Sequence, residues 1–450
     1  MESKLWFSVA NRTIGTDMSL QYSTTSFAAH KDEAPFEIEE LFFSRTDERG
    51  VIAAGNEVFR RISGYSWDEL VGAPHKVIRH PDMPKGVFYI FWERIKKGLA
   101  TGAYVKNRAK DGRYYWVYAI VSPISGGYVS VRLKPTSKVF DSAKVAYAEF
   151  LKCEEEDGLT PEQSAVAIRA KLRDLGFPSY GAYSSYAIAQ EMHARDQALS
   201  RSEDGRLQSL KNLLPTLKSL DEQQQSLFAS FAKIRGIPSN MRIVASRLEP
   251  AGGPISAISQ NYRLMSDEVT NHLGGFRVEN GSRSLAESVM ARVYQGVFMM
   301  AASRLQREVK TVASEAMTRG AEKEGFHHEV EVLTKLLDEY TLESGSVLLS
   351  VFNDVTALSR SAKDLRQLVT GLDSIRVLCR VEAGRLGTQS ASLTPVIDQL
   401  DTFHVEIDKT LEHILELADK IKTLVEGAMP RSFNGSLQYH ATTERPSHRT

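Results

Sequence analysis

The chain has 450 residues with 56 basic and 56 acidic side chains, so its formal charge is zero. That balance removes the simple electrostatic case for binding nucleic acid or anionic lipid. Cys153 and Cys379 stand far apart in no metal-ligand spacing, which fits a reducing compartment and excludes a disulfide scaffold.

Residues 1–35 are polar and show little periodicity, and are expected to be a flexible N-terminal segment. Phe42–Asp47 and Val51–Ala54 flank the turn Glu48-Arg49-Gly50, a first hairpin. Short helices are expected over Asn56–Ser63 and Trp67–Val71. Between Pro74 and Pro84 the backbone cannot run as a regular helix, yet Arg79, His80 and Asp82 are concentrated there. Val87–Lys97 carries Phe88, Phe91, Trp92 and Ile95 at helical spacing. Tyr104–Ala109, Tyr114–Pro123 and Gly127–Leu133 read as three antiparallel strands, the first two joined at Asp111-Gly112. Strands, helices and strands in this order predict an α+β module over residues 36–137.

Beyond Lys138 the pattern becomes helical. Helices over Ser142–Leu151, Pro161–Leu175 and Ser185–Leu199 make a helical linker of residues 138–202, broken at Asp157-Gly158 and Gly176-Phe177-Pro178. From residue 203 to 426 the chain reads as a coiled-coil region. One seam runs through Leu207, Leu210, Leu214, Leu217, Gln224, Leu227, Phe231 and Ile234. A second runs through Leu393, Ile397, Leu400, Phe403, Ile407, Leu411, Ile414, Ala418 and Ile421. Such seams require a partner helix, within the chain or across a dimer. Pro215, Pro238 and the Pro250–Pro254 segment are expected to interrupt any single rod. Met241–Gly252 and Ile375–Gly384 resemble one another weakly, as two helical hairpins would, or as helical segments do by chance. Residues 427–450 are expected to form a disordered tail. No stretch approaches the roughly 20 apolar residues that span a bilayer, and no secretory leader is apparent, so a cytoplasmic location is expected.

As chemistry, residues 36–137 suit an aromatic, partly polar ligand. Phe88, Trp92, Tyr104, Trp116 and Ile120 can wall a pocket, Arg79 and His80 can face phosphates, and Asn56 and Asn107 can hydrogen-bond a ring edge. Asp82 can fix Arg79 or His80. No glycine-rich ATP lobe, P-loop or nucleophile–base arrangement is apparent, so no enzyme is expected.

Asn56-Glu57-Val58-Phe59, Ile62-Ser63-Gly64-Tyr65, Arg79-His80-Pro81-Asp82-Met83-Pro84, Trp92 and Val105-Lys106-Asn107-Arg108 occur in one order. Together they resemble the PAS domain of bacterial aerotaxis receptors, the subgroup that binds FAD. The resemblance implies an antiparallel five-stranded PAS sheet with FAD as cofactor. It implies cofactor-binding roles for Arg79, His80, Asp82, Trp92 and Asn107, beside Asn56 and Trp116 from the pocket chemistry. Thr101 stands where the family usually has a tryptophan, a departure for which Tyr104 could compensate. The resemblance further implies a redox or oxygen signal relayed by a dimeric helical hairpin to the chemotaxis histidine kinase and its coupling protein. Asn240–Gly253 and Glu382–Arg385 look like distant versions of the hairpin tip. The alternatives are a different signalling partner, or haem held by His75 or His80.

Overall fold

The computed structural model describes residues 32–248, 252–278, 283–318 and 323–429. Most of the expected N-terminal segment, the expected tail beyond Met429, and Glu249–Ala251 of the expected hairpin tip lie outside the described residues.

Five strands form one antiparallel sheet in the order β2-β1-β5-β4-β3: β1 Phe42–Asp47, β2 Ile52–Gly55, β3 Thr101–Arg108, β4 Tyr114–Ile124 and β5 Gly127–Leu133. The first hairpin turns at Gly50, whose φ of 79° favours glycine. Helices α1 Glu57–Ser63, α2 Trp67–Leu70 and α3 Lys85–Lys96, with a 3₁₀ turn at His75–Ile78, cover one face. Asn56 starts α1. Its side chain accepts from the Phe59 and Phe43 amides and donates to the Leu41 carbonyl at 2.7 Å. Phe42, Ile52, Phe59, Leu70, Ile78, Tyr115 and Val117 pack beneath these helices.

The remaining helices are α4 Lys138–Glu156, α5 Pro161–Asp174, α6 Tyr180–Ala198, α7 Gly205–Ile234, α8 Ile237–Arg247, α9 Gly253–His272, α10 Leu285–Thr318, α11 Lys323–Leu386 and α12 Thr394–Ala428. Helices α4, α5 and α6 of the expected linker fold back onto the α+β module of residues 36–137. Tyr118 donates to the Ser184 carbonyl on α6, and the Gly102 amide donates to the Ser184 hydroxyl. Glu154 on α4 accepts from the Lys85 and Gly86 amides at the start of α3. Glu191 on α6 is fully buried and accepts from Tyr104 Oη, Thr136 N, and Ser137 N and Oγ.

Helices α7, α10, α11 and α12 form a bundle within the chain. The two seams meet each other in antiparallel fashion, with Ser209 beside Gly427 and the Phe231 and Phe403 rings 5.3 Å apart. Leu210, Leu217, Leu227, Ile407, Leu411 and Ile414 are fully buried. The one polar residue of the first seam, Gln224, is buried too: its carbonyl accepts from the Ala286 amide in the first turn of α10, while its Nε2 has no partner. Pro215 does not break α7. The helix runs through it and ends only at Arg235-Gly236, while Pro238 and Pro254 begin new helices. Helices α8 and α9 make a hairpin, closed where Ser259 donates to the Pro238 carbonyl. Gly371 on α11 leaves room there for Met265 on α9.

The sheet is therefore buried on both faces. Strand alternation sends Tyr104, Tyr118, Ile120, Val129, Val131 and Leu133 into a core continuous with the helical region. Tyr340 on α11 meets Ser122 on β4 at 2.6 Å, and Gln306 on α10 donates to the same hydroxyl.

Candidate functional site

Between the sheet and α3 lies a cavity of about 270 Å³. Phe88, Phe91, Trp92 and Ile95 of α3 wall one side, and Val105, Ala119 and Val121 the other. Asn107 lines it from β3, while Ser44, Ser130 and Arg132 form its floor. Arg49, Lys76 and Arg79 stand exposed around the opening, and among the described residues no carboxylate lines the cavity.

Three of the seven expected residues come together here. Asn107 is 3% exposed. Its backbone forms an isolated bridge with Arg79, so the proline-bounded loop is stitched to β3 beside it. The Arg79 guanidinium lies 3.6 Å from the Phe88 ring centroid. Trp92 packs edge-on to Tyr128, 5.7 Å between centroids, over the Gly50 turn.

The other four lie elsewhere. The Asn56 amide is taken up by backbone groups at the start of α1. His80 is buried behind the loop and accepts from the Asp82 amide through Nδ1. Burial and Lys106 hold its pKa below the ordinary value, which favours the neutral ring. Asp82 pairs with Lys106 at 2.6 Å rather than with Arg79, and its carboxylate lies 3.4 Å from His80. Trp116 packs on Phe140 and Tyr147 of α4, on the opposite face of the sheet. The expected walls Tyr104 and Ile120 lie on that outer face too. Side chains three apart on a strand point to opposite faces, so Tyr104 and Asn107 cannot share a pocket. Tyr104 thus does not compensate at Thr101, which is itself buried and accepts from Arg94 at 3.1 Å.

The floor was not anticipated. Arg132 is 4% exposed. One guanidinium nitrogen, Nη2, donates to Ser44 Oγ at 2.8 Å and lies 2.6 Å from His75 Nε2. Its Nη1 has no partner, and neither has the buried Ser130 hydroxyl. Burial pushes the Arg132 pKa down to about 10, so it stays charged near neutral pH. Burial, with Arg132 and Arg79 nearby, pushes His75 down to about 3, leaving a neutral ring that accepts from Arg132. The clue lay in β5, where Val129, Val131 and Leu133 alternate with Ser130 and Arg132. Polar side chains on one face of a strand buried on both sides mark a cavity wall.

This sheet, its covering helices and the cavity define a PAS domain, and the family model for the PAS fold matches residues 52–131. The sequence is 36% identical over 122 residues to the aerotaxis receptor of Escherichia coli, covering 26% of this chain and 24% of that protein. It is 32% identical over 82 residues to the biofilm dispersion protein BdlA of Pseudomonas aeruginosa, covering 18% and 20% respectively. A segment of the bacterioopsin transcriptional activator of Halobacterium salinarum is 34% identical over 93 residues, covering 21% of this chain and 14% of that protein. The chain thus spans a quarter or less of the length of these relatives. Among solved structures, the light-state blue-light photoreceptor Aureochrome1 LOV is 28% identical over 24% of this chain and 88% of its own, with a TM-score of 0.21. Among the described residues no helix is long and apolar enough to cross a membrane.

Proposed function

We propose that the PAS cavity binds a flavin, FAD in particular, and that the chain reports redox or oxygen status through its helices to the chemotaxis machinery. A carboxylate-free cavity with aromatic walls and buried polar groups on its floor carries this reading. Its volume, about 270 Å³, sits just under the roughly 300 Å³ at which pockets for drug-sized ligands begin. That suits a fused ring system, with the rest of a dinucleotide passing out beside Arg49, Lys76 and Arg79. The orphaned Arg132 Nη1 and Ser130 Oγ fit a ring edge rich in acceptor atoms. Haem fits poorly: His80 is outside the cavity, and His75 Nε2 already meets Arg132.

A flavin, when bound, supplies a change of charge and protonation at its ring edge on reduction. Asn107 can answer by exchanging its amide donor for its carbonyl acceptor. Its strand is one layer from the output helices, because Lys106 and Asn107 neighbour Tyr104 and Val105, which touch opposite faces. We assign the chain no catalysis of its own and place it in the cytoplasm. The α11–α12 hairpin, where Val377, Leu378 and Val381 stand exposed, is our candidate contact for the chemotaxis kinase and its coupling protein, or for a second copy. Both coiled-coil seams are already filled within the chain, so a homodimer would use such outer surface.

The test is the visible spectrum of purified protein, followed by anaerobic reduction and identification of the released cofactor. Twin near-ultraviolet and blue bands that bleach, with FAD released, support the reading. A protein that stays colourless after incubation with FAD overturns it. In the Asn107→Ala variant the flavin is expected to remain bound while the output ceases to follow redox state. Normal signalling by this variant would reject the Asn107 switch. Co-purification with the chemotaxis kinase separates that output from another signalling partner.

A further inference from the structure

Arg132 is a buried cation whose Nη1 has no partner. Among the described residues no carboxylate lines the cavity that its guanidinium faces. The groups around it are Ser44 Oγ, the His75 ring, the Phe59 ring 5.5 Å away and the Tyr115 hydroxyl, which itself has no partner. A buried cation balanced only by neutral acceptors is a costly arrangement. The Ser130 hydroxyl, two residues before it on β5 and pointing into the same cavity, is likewise unpaired. Ser130 faces Ser44 directly across the β1–β5 ladder. Two free donors and a charge thus converge on one corner of a chamber whose walls are mostly apolar.

We infer that Arg132, with Ser130, is the anchor of the cavity's ligand, its free Nη1 N–H meeting an anionic or strongly accepting oxygen on an aromatic ring. The identity of that ring as flavin rests on the function proposed above, whereas the anchor itself does not. The exposed Arg79 at the mouth then has a different task, holding whatever negative charge lies outside the chamber. Arg132 sits on the strand whose alternate residues, Val131 and Leu133, pack into the output core, so the anchor also ties ligand position to the helices.

Two probes share the flavin ring, riboflavin without phosphate charge and FAD with it. Full-length wild-type protein and the Arg132→Met and Arg79→Met variants would be titrated with both by fluorescence quenching. A charge-assisted hydrogen bond at the ring predicts that Arg132→Met weakens both probes by about 10- to 100-fold. Arg79→Met is expected to weaken FAD alone. Unchanged riboflavin affinity in Arg132→Met, or a loss confined to FAD, overturns the anchor. Melting of the ligand-free variants separates binding from structure. Removing an unpaired buried charge should leave the Arg132→Met midpoint unchanged or raised, whereas a structural arginine would lower it. Should Arg132→Met fail to fold, Arg132→Lys takes its place, keeping the charge but losing the fork, and weakening both probes is again expected. If the wild type binds neither flavin, the flavin reading fails, and benzoate, a carboxylate on an aromatic ring, tests the anchor alone. Benzoate binding that Arg132→Met abolishes supports it, and absence of benzoate binding to the wild type overturns it.

Discussion

The two faces of the PAS sheet are both buried, yet their polar groups are treated in opposite ways. On the outer face the polar groups at the helix contact are largely met: Glu191 accepts four hydrogen bonds, and Ser122 meets both Tyr340 and Gln306, although Gln306 Oε1 has no partner. On the inner face Arg132 Nη1 and Ser130 Oγ are left open, and among the described residues no carboxylate lines the cavity. A saturated surface holds elements together, whereas an unsaturated one awaits a molecule. The same period-two alternation that builds the sheet separates these tasks.

The sharpest way to break this contrast is to unsatisfy the outer face. Glu191→Ala leaves Tyr104 and the Thr136–Ser137 backbone without an acceptor. A loss of about 3 kcal/mol is expected in guanidinium unfolding followed by tryptophan fluorescence. An unmoved midpoint would show that α6 does not depend on this carboxylate.

On the inner face the expected effect is one of pH. The unfolded chain protonates His75 near 6.5, and the folded protein only near 3. Between these values the unfolded state binds more protons, so this contribution is complete above pH 6.5 and is lost as the pH falls through the window. His75→Gln should flatten the acid side of the stability curve. Parallel acid profiles for the two proteins would contradict the buried neutral ring.

Tyr340→Phe should cost about 1 kcal/mol, the worth of one hydrogen bond, and leave ligand affinity alone. A change in affinity would show that the two faces are less separate than the alternation implies. The smallest effect is expected from Asp82→Asn. Asp82 pairs with Lys106 outside the cavity, so ligand affinity should change by less than about twofold, as for a partly exposed ion pair. A larger loss would restore the binding role that the family resemblance implied for it.

The sensor elements were legible because turns and alternation are local. Asp111-Gly112, the Phe88–Ile95 spacing and the Asn56 cap each act within a few residues. Of the residues the family order pointed to, Arg79, Trp92 and Asn107 line the cavity while His80 and Asp82 do not, and neither do Asn56 and Trp116, which came from pocket chemistry. Motif membership says that residues travel together, not which way each points. The docking of α6 left little trace, because Ser184, Ser185, Ala187 and Ala189 are buried there without an apolar stripe. The partners of Ser184, Tyr118 and Gly102, are distant in sequence. The seams of α7 and α12 were plain, but nothing in a heptad says whether its partner is in the same chain.

One feature of α11 bears on scale. From Tyr340, where it touches the sheet, to its end at Leu386, the helix continues unbroken for 46 residues, or about 69 Å at 1.5 Å per residue. A rigid rod of that length turned by about 2° at the sheet would sweep its tip by roughly 2.4 Å. Displacements too small to disturb the sensor core would thereby arrive at the hairpin as shifts comparable to half a helical turn.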